Sequence, residues 1–169
     1  ERVRSLALVS ALPTDWVPDA RAQFYMRAPL LLSPVFFVDA PIRARRELRA
    51  SFPRVVDRLR FGWGQTGRLV RYFLSPTRMA KRIEWLHAFH FSDPAAIRQP
   101  VLVVTGEPGL DRVVRPALTR RYLEVIPHAH YAMIARTGHL GVLTRPDEFV
   151  DVMRTFLREI ATDVRRASA

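Results

Sequence analysis

Three runs of consecutive apolar residues stand out along the chain: Ser5 to Ser10, Val101 to Thr105 and Tyr131 to Ala135. Runs of this length without alternation predict strands buried on both faces, as in a parallel sheet covered by helices. Between the second and third runs, Pro116 suits a first helical turn, and Leu118, Tyr122 and Val125 recur along one face of the segment from Arg115 to Ile126. The pattern is a strand–helix–strand unit. After the third run, Pro146, Asp147 and Glu148 open another helix, the two acids complementing its positive end. Phe149, Val152, Met153, Phe156, Leu157 and Ile160 form its apolar stripe, Arg158, Arg165 and Arg166 lie toward its end, and the tail after Asp163 is expected to fray.

The stretch from Ala11 to Pro100 is far longer than the dozen or so residues a parallel crossover needs, so it reads as an insertion. Its pattern is helical. Pro29, Pro34 and Pro41 break its first part; Arg45 to Phe61 then carries Leu48, Phe52, Val55, Val56 and Leu59 at helical spacing, with Gly62, Gly64 and Gly67 as punctuation. A further helix follows the Ser75-Pro76 pair and turns Met79, Ile83, Leu86 and Phe89 to one side, and Asp93-Pro94 starts a last short turn. There is no internal repeat.

With 169 residues, 49% of them hydrophobic and 25% charged, the chain can bury a real core. The absence of cysteine excludes a disulfide framework and a thiolate nucleophile or metal site. No apolar run approaches the ~20 residues that cross a bilayer, and the opening Glu1-Arg2-Val3-Arg4 lacks the layout of a signal peptide, so a soluble, cytoplasmic protein is expected. The chain starts without Met just before an apolar segment, and the natural polypeptide is therefore expected to begin earlier.

The net charge of +11 raises nucleic acid as a partner, because basic surfaces bind phosphates by counterion release. Its distribution changes that picture: residues 40–82 hold twelve basic residues against only Glu47 and Asp57, and Lys81 is the one lysine of the chain. An arginine bias on a solvated helical surface accounts for this, and no nucleic-acid partner is expected. An Arg-rich module for nucleic acid or another anion is the less favoured alternative.

Ligands of an open parallel sheet bind beyond the carboxyl ends of its strands. After Thr105 the chain runs Gly106-Glu-Pro-Gly-Leu-Asp111, and after Ala135 it runs Arg136-Thr-Gly138-His139-Leu-Gly141. If the two strands are neighbours, about 4.8 Å apart, a carboxylate on one loop reaches an imidazole on the next, holding one ring nitrogen protonated and the other free as a general base. Taken singly, His139 reads as a loop residue capping backbone groups and Asp111 as a turn acid near Arg112 and Arg115; their paired placement favours chemistry. His128 and His130 precede the third strand, at the opposite edge. His87 and His90 lie three apart on a helix without the further ligands zinc needs, so they read as helix-face residues, with a minor possibility of substrate contact by His90. No metal and no cofactor are expected.

These residues carry a resemblance. The segment from Pro100 to Phe156, with Pro-Val-Leu-Val-Val-Thr-Gly-Glu, Asp111-Arg-Val-Val, Ile126-Pro127, Thr-Gly-His139-Leu and Arg-Pro-Asp-Glu-Phe, resembles the C-terminal part of the α/β-hydrolase superfamily. Glu1 to Ser10 is similar to the sixth strand of that fold, which a helical lid follows. The resemblance implies a partial α/β-hydrolase fold of three parallel strands at about 5–10, 101–105 and 131–135. Residues 1–14 and 100–169 would be core, 15–99 the inserted lid, with an acid loop, a histidine loop and a last helix.

In that family the triad runs nucleophile, acid, histidine along the chain, so Asp111 carries over as the acid and His139 as the base. Asp111 stands farther beyond its strand than the usual Gly-x-x-Asp spacing; Glu107 and Asp15 remain alternative acids ranked below it. No Gly-x-Ser-x-Gly occurs, and Ser10, followed by Ala11-Leu12-Pro13, lacks the glycines of a nucleophile elbow and reads as structural. The elbow, the earlier strands and the oxyanion-hole donors are expected in a missing N-terminal half, and this chain alone is expected to be inactive. The implied function is hydrolysis of an ester or related bond in a small apolar substrate, with Trp16, Phe24, Tyr25, Phe36, Phe37, Trp63, Tyr72, Phe73, Trp85 and Phe89 forming pocket wall or core. A non-catalytic binding protein on the same scaffold is the alternative.

Overall fold

The computed structural model describes residues 3–13, 15–29, 31–72, 76–88 and 93–167. The chain divides into two compact units, Glu1–Pro13 with Asp93–Ala169, and Thr14–Ser92.

The first unit is built on a parallel sheet of β1 (Leu6–Val9), β2 (Val101–Thr105) and β3 (His130–Met133), with β2 in the middle. Leu6 pairs with Val101 and Leu102 with His130, so the carboxyl ends of all three strands face the same way. All five residues of β2 are buried, because its side chains go alternately to two apolar layers. Leu102 and Val104 pack with Ile134 and Phe156 on one face, joined by Phe149, Val152, Met153 and Ile160 of α8 (Pro146–Ala167). Val101 and Val103 pack with Ile126 on the other, joined by Tyr122 and Leu123 of α6 (Tyr122–Val125).

Two-sided burial holds for β2 but not for the other strands. Every residue of β1 is half-buried, and Tyr131 and Met133 of β3 are exposed. Among the described residues both strands are sheet edges, with a partner on one side alone. Tyr131 instead hydrogen-bonds Thr105 through its hydroxyl at 2.9 Å and receives the Arg120 guanidinium over its ring.

The helix expected between β2 and β3 is two short pieces, α5 (Pro116–Arg120) and α6, divided at Arg121. They anchor the chain leaving β1: Thr119 donates to the Ala11 carbonyl at 2.9 Å and the Tyr122 hydroxyl to that of Leu12 at 2.7 Å. A single 3-10 turn (Pro94–Ala96), capped by Asp93, precedes β2, and α7 (Gly141–Thr144) precedes α8. Helix α8 runs to Ala167, past the expected fraying point, and its Leu157 is half exposed, off the buried stripe.

The second unit holds α1 (Ala20–Arg27), α2 (Ser33–Ser51), α3 (Val55–Tyr72) and α4 (Pro76–Ala88). Its boundaries correct the sequence reading at three places. Pro34 lies in the first turn of α2, where its missing N–H costs nothing, and the helix continues through Pro41. The break falls instead at Phe52 and Pro53, where Arg58 donates to both carbonyls at 2.9 and 3.0 Å. Gly62, Gly64 and Gly67 lie inside α3, and Val55, Val56 and Leu59, expected on a packed face, are exposed. Ala80 is buried in α4 beside half-buried Ile83 and Leu86.

Candidate active site

The two loops that leave β2 and β3 touch through backbone at Gly106, the first residue after β2, and Gly138, the fifth after β3. A Cβ built on Gly106 would stand 2.6 Å from the Gly138 Cα, and one on Gly138 would stand 2.7 Å from the Asp111 nitrogen. Only glycine fits at either position, so the contact is written into two Thr-Gly pairs, Thr105-Gly106 at the end of β2 and Thr137-Gly138 in the loop after β3. Glu107 locks it: its backbone N–H donates to the Thr137 carbonyl at 2.8 Å, and its carboxylate accepts from the Arg136 N–H at 2.9 Å.

Gly109, at φ +87, and the Leu110 N–H bond to the Glu107 carbonyl turn the acid loop back on itself. That turn absorbs the long spacing after β2 and delivers Asp111 to the sheet edge. On the other loop, buried Thr137 hydrogen-bonds Thr144 side chain to side chain at 2.7 Å, and Thr144 also donates to the Leu140 carbonyl. These bonds close the turn that carries His139.

Asp111 is buried, with 4% of its surface exposed. Its Oδ1 accepts the backbone N–H groups of Val113 at 2.9 Å and Val114 at 2.8 Å. Its Oδ2 accepts the Ser10 hydroxyl at 3.2 Å and lies 3.5 Å from Nδ1 of His139. Three hydrogen-bond donors around the two oxygens, with the imidazole beside them, compensate the removal of this carboxyl group from water. The side chain of His139 is about a third exposed, so the ring meets solvent while its Nδ1 faces a shielded acid. At 3.5 Å the pair is longer than an ordinary hydrogen bond.

The structure thus brings Asp111 and His139 together. Glu107 is engaged with the Arg136 backbone, and Asp15 belongs to the other compact unit. His128 bonds the Gln99 carbonyl through Nε2 at 3.1 Å, and His130 lies 3.3 Å from Glu159 and edge-on to Phe156, both at the amino end of β3. The side chain of His87, and His90 altogether, lie outside the described residues, as do Phe73, Phe89 and the side chains of Phe36, Phe37 and Tyr72. No cluster of three or more metal-ligating residues occurs among the described residues.

Of the aromatic residues expected to line a pocket, Phe24, Trp63 and Trp85 are exposed. Within the second unit, Phe52 and Phe61 stack at 5.0 Å beside a cleft of about 430 Å³ that Asp57, Arg60, Gly64 and Gln65 also line. Its lining mixes apolar and charged groups.

Ser10 was missed as a neighbour of the acid. Its sequence signal is a polar residue ending an apolar strand at the carboxyl edge, the same logic that located Asp111 and His139.

Solved structures with the same chain path include the enol-lactonase from Burkholderia xenovorans LB400, with a TM-score of 0.65, 19% identity, and coverage of 93% of this chain and 57% of that one. The chain carries part of the α/β-hydrolase fold. A bromoperoxidase from Bacillus anthracis matches at a TM-score of 0.61 and 19% identity, covering 94% and 59% of the two chains. MenH from S. aureus matches at 0.52 and 17%, covering 94% and 60%. The chain spans less than two thirds of the length of each of these structures. No family model matches it, and no curated protein does.

Proposed function

We propose that the chain is the C-terminal part of an α/β-fold hydrolase that acts through a nucleophile–histidine–acid triad on an ester or related bond of a small, largely apolar substrate. His139 is the general base and Asp111 the acid that orients it. The nucleophile, the oxyanion-hole donors and the remaining strands come from a segment outside these residues, and residues 15–99 are the inserted helical lid.

The observation that carries this reading is the buried Asp111 carboxylate 3.5 Å from Nδ1 of His139, on two loops that leave neighbouring parallel strands. A carboxylate there holds the Nδ1 proton and leaves Nε2 free to take a proton from an attacking hydroxyl, then return it to the leaving group. The likeness to an enol-lactonase supports hydrolysis of an ester-type bond.

The test is turnover of short-chain aryl esters and lactones by the protein expressed from the complete reading frame, with labelling by a serine-reactive phosphonate. Labelling and turnover are expected for the complete protein and neither for this chain alone. His139→Ala should lower kcat by at least about a thousandfold. Turnover unchanged by His139→Ala overturns the reading, and a complete protein that neither turns over nor labels points to a binding protein on the same scaffold.

A further inference from the structure

Ser10 stands where β1 ends and the chain leaves the sheet, at φ +43, a left-handed conformation that serine adopts rarely and at a cost. Its backbone N–H still completes the ladder by donating to the Val104 carbonyl at 3.0 Å, and the next two carbonyls, of Ala11 and Leu12, are held by Thr119 and Tyr122. The turn is therefore fixed on both sides. Glycine or asparagine would suit that backbone better, so something other than local conformation must favour serine. Its hydroxyl supplies the reason: Oγ donates to Oδ2 of Asp111 across 3.2 Å, from a residue 101 positions away in sequence.

Resting on the triad reading above, we propose that Ser10 is a positioning residue that acts on His139 through Asp111. Val113 and Val114 hold Oδ1 by backbone donors, which fixes one oxygen but leaves the carboxylate plane free to turn about it. The Ser10 hydroxyl holds the second oxygen, and with it the direction in which Oδ2 faces Nδ1 of His139. A fixed acceptor facing Nδ1 favours the tautomer with the proton on Nδ1 and the lone pair on Nε2, the form a general base requires. Ser10 itself does not act as a nucleophile in this scheme, since its hydroxyl is committed to the acid.

Long-range ¹H–¹⁵N correlation spectra of the chain with ¹⁵N-labelled histidine read the tautomer directly, His139 being assigned by its loss in His139→Gln. In the parent chain the Nδ1–H form is expected to dominate at neutral His139. Ser10→Ala and Ser10→Gly should each lower the ratio of Nδ1–H to Nε2–H by at least about threefold, the loss expected on removing one donor to a buried charged acceptor. Ser10→Gly relieves the strained backbone and should melt no lower than Ser10→Ala, which separates the hydroxyl from the turn. Ser10→Thr retains the hydroxyl but is branched at a positive φ, so it should melt lower while keeping the parent tautomer. A parent tautomer ratio in both Ser10→Gly and Ser10→Ala, alongside a changed ratio in Asp111→Asn, overturns the role of Ser10 alone. A ratio unmoved by Asp111→Asn overturns the acid–base pair and the Ser10 proposal together.

Discussion

Adding one methyl group at Gly138 tests how the loops that carry Asp111 and His139 are held. The new Cβ would stand 2.7 Å from the Asp111 nitrogen, 2.7 Å from the Leu110 carbonyl carbon and 2.8 Å from the Leu110 oxygen. All three are backbone atoms, so no side-chain rotation relieves the clash, and the loops must separate by roughly 0.6–0.9 Å to reach ordinary contact. Overpacking of this kind costs about 2–3 kcal/mol, which for a unit of this size lowers the melting temperature by about 10–20 °C. Gly64→Ala is the matched control: nothing lies within 4 Å of its Cβ in α3, and alanine in a helix should gain about 0.5–1 kcal/mol. Trp16, Trp63 and Trp85 all belong to the second unit, so tryptophan fluorescence follows that unit while methyl resonances of Val103 and Ile134 follow the first. Gly138→Ala should lower the methyl transition and spare the fluorescence transition. If it melts within about 2 °C of the parent by the methyl signals, the close approach is not what holds the loops and the reasoning fails.

Two further substitutions probe the frame around the pair. Thr119 is fully buried and donates to the Ala11 carbonyl, so Thr119→Val should cost about 1–2 kcal/mol in urea unfolding, and a neutral result would show that the exit from β1 is held otherwise. Phe156→Ala should cost about 3–5 kcal/mol, because its ring fills the layer between α8 and the sheet, whereas Leu157→Ala, half exposed on the same helix, should stay within about 1 kcal/mol; equal losses would refute the assigned helix face.

The features that were legible in sequence are those whose cause is local. The strand β2 declares itself by apolar residues at both parities, and α8 by its stripe and its acidic first turn. What failed was tertiary. The runs at β1 and β3 resemble β2 in composition, yet their place at the sheet edges leaves them half-buried or exposed, and strand order is not written in the run itself. Proline marked breaks in α2 by propensity, but one proline sits where helices accept it and the other is overridden within a 19-residue helix. Asp111 and His139 were legible because strand ends are a topological address; Ser10 shares that address, but its bond to an acid 101 residues away depends on β1 lying beside β2, which no local pattern records.

The bonds that place the acid and the histidine share one property. Ser10, Gly106, Glu107, Arg136, Thr137, Gly138 and Thr144 all belong to the unit built on the sheet, and none to Thr14–Ser92. Most of these bonds are made by backbone groups or by short side chains, which lose little rotamer entropy when fixed. The contacts that set the geometry of the pair therefore lie in the sheet and the two loops that leave it. The arginine-rich segment that dominates the net charge, residues 40–82, contributes none of these contacts.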